Sequence, residues 1–244
     1  MTEYEKQMLQ AAAAWKKEQI RESSLMNRAA KKVQTKMQEL IPEKVHAVLT
    51  ETVKRMTQGI LAGSDFIKPK LKETGLTLQE RDTRVKEKLE SYKKVAAAEG
   101  AGTGAGGILL GLADFPLLLG IKIKFLFDAA TLYGYDTSKE EERLFILHVF
   151  QLAFSSDDHR RDIFYILENW ETYREKEQNI DWRKFQQEYR DYIDLVKLLQ
   201  LVPFIGAAVG AYANYQLLDK LGETAMNAYR MRWLQEQGAQ IQAD

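Results

Sequence analysis

Three carboxylates stand where the sequence turns apolar: Glu99, Asp114 and Asp128. A carboxyl group taken out of water must be paired, hydrogen-bonded or protonated. Two such acids sharing a pocket would support general acid–base hydrolysis. These three are the catalytic candidates. Each also has a structural reading. Asp114 precedes Phe115-Pro116, the arrangement of a helix N-cap with proline at the first turn, and Glu99 and Asp128 suit ion pairs. The structural reading is the stronger one, and the residues assign no reaction by themselves.

Other chemistry finds less support. His46, His148 and His159 form no HExxH or i, i+4 pair, and cysteine is absent, so no metal site is expected. His148 lies in apolar sequence and reads as a core residue. Gly102-x-Gly104-x-x-Gly107 matches the dinucleotide fingerprint in letters only. That motif needs a strand before it, and Lys93 to Glu99 reads as helix. No Walker loop and no GxSxG elbow occur, so no cofactor is expected. Lys31-Lys32 and Lys93-Lys94 come without an aromatic platform, which argues against nucleic acid.

The elements that would position these residues are helices. Only four prolines occur, no period-two pattern persists, and the abundant residues favour helix. Residues 1–41 read as helix with a weak seam of Leu25, Val33, Met37 and Leu40. Val45, Val48, Leu49, Val53, Met56 and Ile60 mark one face of an amphipathic helix. Thr77 and Glu80 make a capping box, with Val85, Leu89, Tyr92 and Val95 behind it. A helix is expected from Leu117 to Tyr133, then a turn at Gly134 to Asp136. A second capping box is expected at Ser138 and Glu141, with Glu140 to Glu142 at the positive end of its helix. Leu144 to Phe154 is apolar almost all round and should be central. Helices over Arg160–Gln178 and Asp181–Gln200 follow, then a small-residue segment from Phe204 to Leu218. A last helix carries Leu221, Ala225, Tyr229 and Trp233. The fold class is therefore all-α, a single multi-helix domain with a central glycine-rich apolar helix pair.

Asp114 is the sole charge between Gly100 and Ile121. Gly102, Gly104, Gly106, Gly107 and Gly111 crowd the first apolar segment; Gly206 and Gly210 mark the second. Their GxxxG spacings suit close helix contact, in a soluble core, in a span, or in a hairpin dipping into a bilayer. Nine large apolar side chains contribute roughly −0.3 to −0.6 kcal/mol each to insertion, against roughly +2.5 to +3.5 for a central aspartate. The glycines and Pro116 then leave insertion marginal.

Residues 1–98 hold 20 Lys+Arg against 13 Asp+Glu, and residues 99–244 hold 15 against 22. This mild polarity would either orient the chain on an anionic surface or let the two parts attract each other. The amphipathic helix, followed by Lys68, Lys70 and Lys72, is one candidate for lying on anionic lipid, though a core-facing helix is the favoured reading. The first seventeen residues lack the apolar core of a signal peptide, and the cysteine-free composition suits a reducing compartment.

Three blocks together resemble the EcsC family of bacterial proteins: Ile41 to Thr50; Glu99 through Gly111-Leu-Ala-Asp-Phe-Pro116 to Tyr133-Gly-Tyr-Asp136 and Glu142-Arg-Leu144; and Val202 to Ala211, Asn214-Tyr215 and Tyr229-Arg-Met-Arg-Trp233. The likeness spans about Ile41–Leu234, dividing the chain into a helical extension (1–41), the family-like domain (42–235) and a polar tail (236–244). The family takes its name from an operon that also encodes an ABC exporter, and no established catalytic residues come with it. The resemblance implies a non-enzymatic accessory or interaction protein at the cytoplasmic face of the membrane, with ABC transporter subunits and anionic lipid as partners. A helical hydrolase and a lipid or small-ligand carrier are the alternatives.

Overall fold

The computed structural model describes residues 1–21, 43–62, 74–104, 107–155, 157–176 and 206–238; the side chains of 43–46, 49, 100–114, 157–158, 176, 206–211 and 213 lie outside it. Eight helices and no strand are found among the described residues: α1 (Glu3–Ile20), α2 (Glu43–Leu61), α3 (Leu78–Gly104), α4 (Gly107–Leu132), α5 (Glu140–Phe154), α6 (Asp157–Glu168), α7 (Trp170–Lys176) and α8 (Gly206–Glu236).

Local chemistry starts two of them. Thr2 and Glu5 form a reciprocal capping box on α1. At α3 the Thr77 amide donates to Glu80 Oε2 at 2.8 Å, and the Glu80 amide donates back to Thr77 Oγ1 at 3.3 Å. Such boxes satisfy amides that the first turn leaves unbonded. The second expected box does not form. Asp136 Oδ1 accepts from both the amide and the hydroxyl of Ser138, closing a local turn that outcompetes the cap. Lys139 becomes the N-cap with no side-chain bond, while Glu140, Glu141 and Glu142 occupy the first turn as expected.

The apolar segments are longer helices than their prolines suggested. Pro116 lies inside α4, and Asp114 is therefore an interior residue and not an N-cap. The proline ring is exposed, while Phe115, Leu118 and Leu119 beside it are buried. Their burial offsets the missing amide bond. Gly206 to Glu236 is likewise one helix where two were expected. The segment read as Arg160–Gln178 instead divides at Asn169. The expected helix over 181–200, the seam of Leu25, Val33, Met37 and Leu40, and Lys68, Lys70 and Lys72 lie outside the described residues.

The most extensive pairing is antiparallel, α3 against α8. Asp82 meets Arg230, and Lys93 meets Asp219. Midway, Leu89 sits against Gly222, where an added Cβ would stand 2.3 Å from Leu89 Cδ2 and 2.6 Å from Cδ1. Gly222→Ala is expected to cost about 1–2 kcal/mol, overpacking of about 1–3 kcal/mol being partly offset by alanine's helix propensity. In a Leu89→Ala background the same change should become neutral or stabilising. Urea denaturation of the four proteins reads this coupling, and equal costs in both backgrounds would rule out close approach as the cause.

α4 runs antiparallel to α3, with Arg81 donating to the Leu132 carbonyl at 2.9 Å. α5 sits centrally, every residue from Glu142 to Phe154 buried, as its all-round apolar sequence predicts. α1 packs on α8, α6 and α3, with Ala12 and Trp15 buried and the Trp15 ring edge-on to Phe164 at 5.3 Å. The amphipathic α2 packs on α4 and α5 and turns Val53, Thr57 and Ile60 into the core. Val53, Met56 and Ile60 of its apolar face are thus committed to protein, while Val48 is exposed and the Val45 and Leu49 side chains lie outside the described residues.

Candidate functional site

The structure does not bring the three candidate acids together. Asp128, on α4, is buried, with Oδ2 accepting from the Tyr92 hydroxyl at 2.9 Å and lying 3.6 Å from Lys88 Nζ. Glu99 is half-buried on α3, two turns beyond Tyr92 and about 10 Å farther along the axis. Asp114 lies four turns before Asp128 on α4, about 20 Å away. An acid–base pair needs both groups within hydrogen-bond reach of one substrate, and Asp128 stands too far along the hairpin to pair with either of the others; the Asp114 side chain lies outside the described residues.

Asp128 does border a cleft of about 280 Å³, shared with Arg84, Glu87, Lys88, Ser91 and Thr131. Helical spacing explains the lining. Arg84, Lys88, Ser91 and Val95 recur on one stripe of α3, and Leu117, Ile121, Lys124, Asp128 and Thr131 on one stripe of α4. Burial, reinforced by the Asp128 carboxylate, pushes the Tyr92 hydroxyl well above its ordinary value. Tyr92 therefore stays a donor that holds Asp128 in place. The stripe also explains the exposure of Val95. Val95 shares its helix with the buried Val85 and Leu89 but is 49% exposed, because its spacing puts it on this stripe.

The glycines fall at the opposite end of the same hairpin. Gly102 and Gly104 end α3, Gly107 begins α4 with Gly111 one turn on, and Gly206 and Gly210 open α8; Gly106 lies outside the described residues. Helix on both sides of Gly102 to Gly107 is not the strand–turn–helix of a dinucleotide fold.

A buried polar network occupies the far end of α3. Asp82 accepts from Tyr133, from Tyr4 at 2.6 Å, and from Arg230 Nε at 2.9 and 2.8 Å. Burial, then the Asp82 charge, raises the Tyr133 hydroxyl well above 10.0. Beside it Arg232 forks onto both oxygens of Glu142 at 2.7 Å and stands 4.1 Å over the Tyr135 ring. The Tyr229 ring stacks between Tyr133 and Tyr135, 5.4 Å from each. Tyr133-Gly-Tyr-Asp136, Glu142-Arg-Leu144 and Tyr229-Arg-Met-Arg-Trp233, separate in sequence, thus converge in one place. This is a clamp joining α1, α3, α5 and α8 through satisfied charges. Sequence reasoning quoted the blocks but missed their pairing, and missed Asp82 altogether; a pair 148 residues apart leaves no local signature.

Lys122 was also missed. It is fully buried on α4, its Nζ donating to Asn214 Oδ1 of α8 at 3.1 Å and toward the Leu118 carbonyl at 3.4 Å. Burial lowers its amine from 10.5 to about 7. A lysine inside Leu117 to Phe127 was the available signal. His148 is a core residue as expected, buried, with Nδ1 3.1 Å from Gln151 Oε1 and its ring lowered to about 4 by burial. Among the described residues no cluster of His, Asp or Glu is arranged to hold a metal ion, and no helix is long and apolar enough to cross a membrane.

The chain is 54% identical over 229 residues to Protein EcsC of Bacillus subtilis (strain 168), a match covering 94% of this chain and 96% of that protein. It is 37% identical over 145 residues to the Uncharacterized protein YdbA of the same organism, covering 58% of this chain and 53% of that one. No solved structure matches. A model of the EcsC protein family matches residues 6–234, a range that takes in α1 from Lys6 onward as well as the three converging blocks. On this near-complete match, the chain belongs to the EcsC protein family.

Proposed function

We propose that this protein is a non-enzymatic accessory protein that seats on the cytoplasmic face of a membrane through the glycine-rich end of α3, α4 and α8. One observation carries the reading: large apolar side chains stand in water at that end. Val95 and Leu117 are 49% and 52% exposed, and Tyr212 on α8 is 66% exposed. The Lys122–Asn214 contact sets α4 and α8 in register, so Leu117 and Tyr212 lie within about two turns of one level. Exposed Lys94 and Lys124 flank the apolar groups. Apolar residues with tyrosine and lysine at their margin suit the interfacial zone of a bilayer.

The purified full chain should pellet with phosphatidylglycerol vesicles at low salt and lose most of that binding at high salt. Val95→Glu with Leu117→Glu should reduce pelleting roughly tenfold, about 1.4 kcal/mol, with an unchanged far-ultraviolet spectrum. Recovery of the wild type in the supernatant at low salt would sink the proposal. An ABC transporter subunit is the protein partner in this reading, and copurification after crosslinking in intact cells tests that part separately.

A further inference from the structure

The groove between α3 and α4 changes character along its length. One end is the cleft where Arg84 and Lys88 face Glu87 and Asp128. The other is apolar, with exposed Val95 and Leu117 beside half-buried Ile121. Exposed Lys124 stands between the two ends. Two cations and two carboxylates within one cleft complement a ligand carrying both signs, and their zero net charge offers a simple anion or cation no net attraction. Lys88 Nζ lies 3.6 Å from Asp128 Oδ2, so the cleft already pairs the two signs that such a ligand carries. Tyr92 keeps Asp128 in place by donating to it at 2.9 Å.

We propose that this groove seats the headgroup of one phospholipid of the phosphatidylethanolamine class, taken from the bilayer. Its phosphate meets Arg84 and Lys88, and its primary ammonium donates to Asp128 and Glu87. Its acyl part runs along Ile121, Val95 and Leu117 toward the membrane. The proposal rests on the membrane-seating reading above and adds the lipid that is recognised.

The test is pelleting of the full chain with vesicles of phosphatidylcholine alone, with added phosphatidylethanolamine, or with added phosphatidylglycerol. The first two carry no net charge, so the part of their difference that Asp128→Asn removes reports the primary ammonium. Phosphatidylethanolamine should raise binding roughly tenfold over phosphatidylcholine alone. Asp128→Asn should abolish that gain while leaving phosphatidylglycerol binding unchanged or stronger, since a negative charge has been removed. Glu87→Gln, at an exposed position, should reduce the gain without touching the core and guards against misfolding of the first variant. Binding to phosphatidylglycerol with no gain from phosphatidylethanolamine overturns the headgroup assignment and leaves membrane seating intact. Failure to pellet with any vesicle overturns both. Saturable binding of soluble phosphoethanolamine without vesicle binding overturns the lipid as its source.

Discussion

Arg232→Met is expected to unfold this protein at a temperature lower by roughly 10–15 °C, a loss on the order of 4–5 kcal/mol. Arg232 is buried and faces three carboxylates: Glu142 at 2.7 Å, Glu236 at 3.3 Å and Glu171 at 3.7 Å. Methionine fills much of the volume but strands Glu142, itself buried, without its partner. It also removes the cation over Tyr135, worth about 1–2 kcal/mol when desolvated. The reverse truncation, Glu142→Gln, should cost less, about 3 kcal/mol, because Arg232 keeps Glu236 and Glu171. Replacing both, Glu142→Leu with Arg232→Met, should recover most of the loss, since a buried ion pair and an apolar pair of similar size are close in free energy. Burial already raises the Glu236 carboxyl, with Arg232 opposing. Removing Arg232 strengthens that rise, so the variant's deficit should shrink between pH 7 and pH 5 as Glu236 takes up a proton. Thermal melts at the two pH values check the order of the variants. Glu142→Gln costing more than Arg232→Met would contradict a cation shared by three acids.

The contrast between this clamp and the capping boxes shows what a sequence exposes. The Thr77–Glu80 box is legible because its partners lie three residues apart and nothing nearby competes. Ser138 and Glu141 carry the same spacing, but Asp136 lies two residues before Ser138 and captures it. Burial of α5 is legible because no face of Leu144 to Phe154 is polar enough for water. Pro116 and Asp114 mislead for a tertiary reason: the helix continues past them because Phe115, Leu118 and Leu119 are buried on other helices. Of the groove, Asp128 was legible as a charge in apolar sequence. Arg84, Lys88 and Ser91 looked like an ordinary solvated face until α4 was laid beside them. Asp82, Glu142 and Arg232 are polar residues whose burial depends wholly on which distant segment arrives opposite, and periodicity holds no record of that.

Lys122→Met should stabilise the protein at pH 7 by about 2–3 kcal/mol, raising its melting temperature by roughly 5–10 °C. The amine is lowered from 10.5 in the unfolded chain to about 7 by burial alone. Below pH 10.5 the unfolded chain holds this proton more tightly than the folded one, so wild-type stability falls as pH drops from about 10 toward 7 and levels off beneath that. The whole span is on the order of 4–5 kcal/mol. Methionine removes that penalty, and against it stands about 1–3 kcal/mol for the donor withdrawn from the buried Asn214. Other buried groups bracket the window without filling it. His148, lowered from 6.5 to about 4, contributes stability that is lost as pH falls between those values. Tyr133, Tyr135 and Tyr229, raised well above 10.0, contribute stability that is lost as pH rises past 10. Denaturation between pH 7 and 9.5 therefore isolates the lysine. The wild type should gain stability across that range, and Lys122→Met should be nearly flat. A variant that keeps the wild-type slope would show that the buried amine is not its source. A variant less stable than wild type at pH 7 would mean that the bond to Asn214 outweighs the desolvated charge, and that α4 and α8 are held together by the very residue their apolar sequence should exclude.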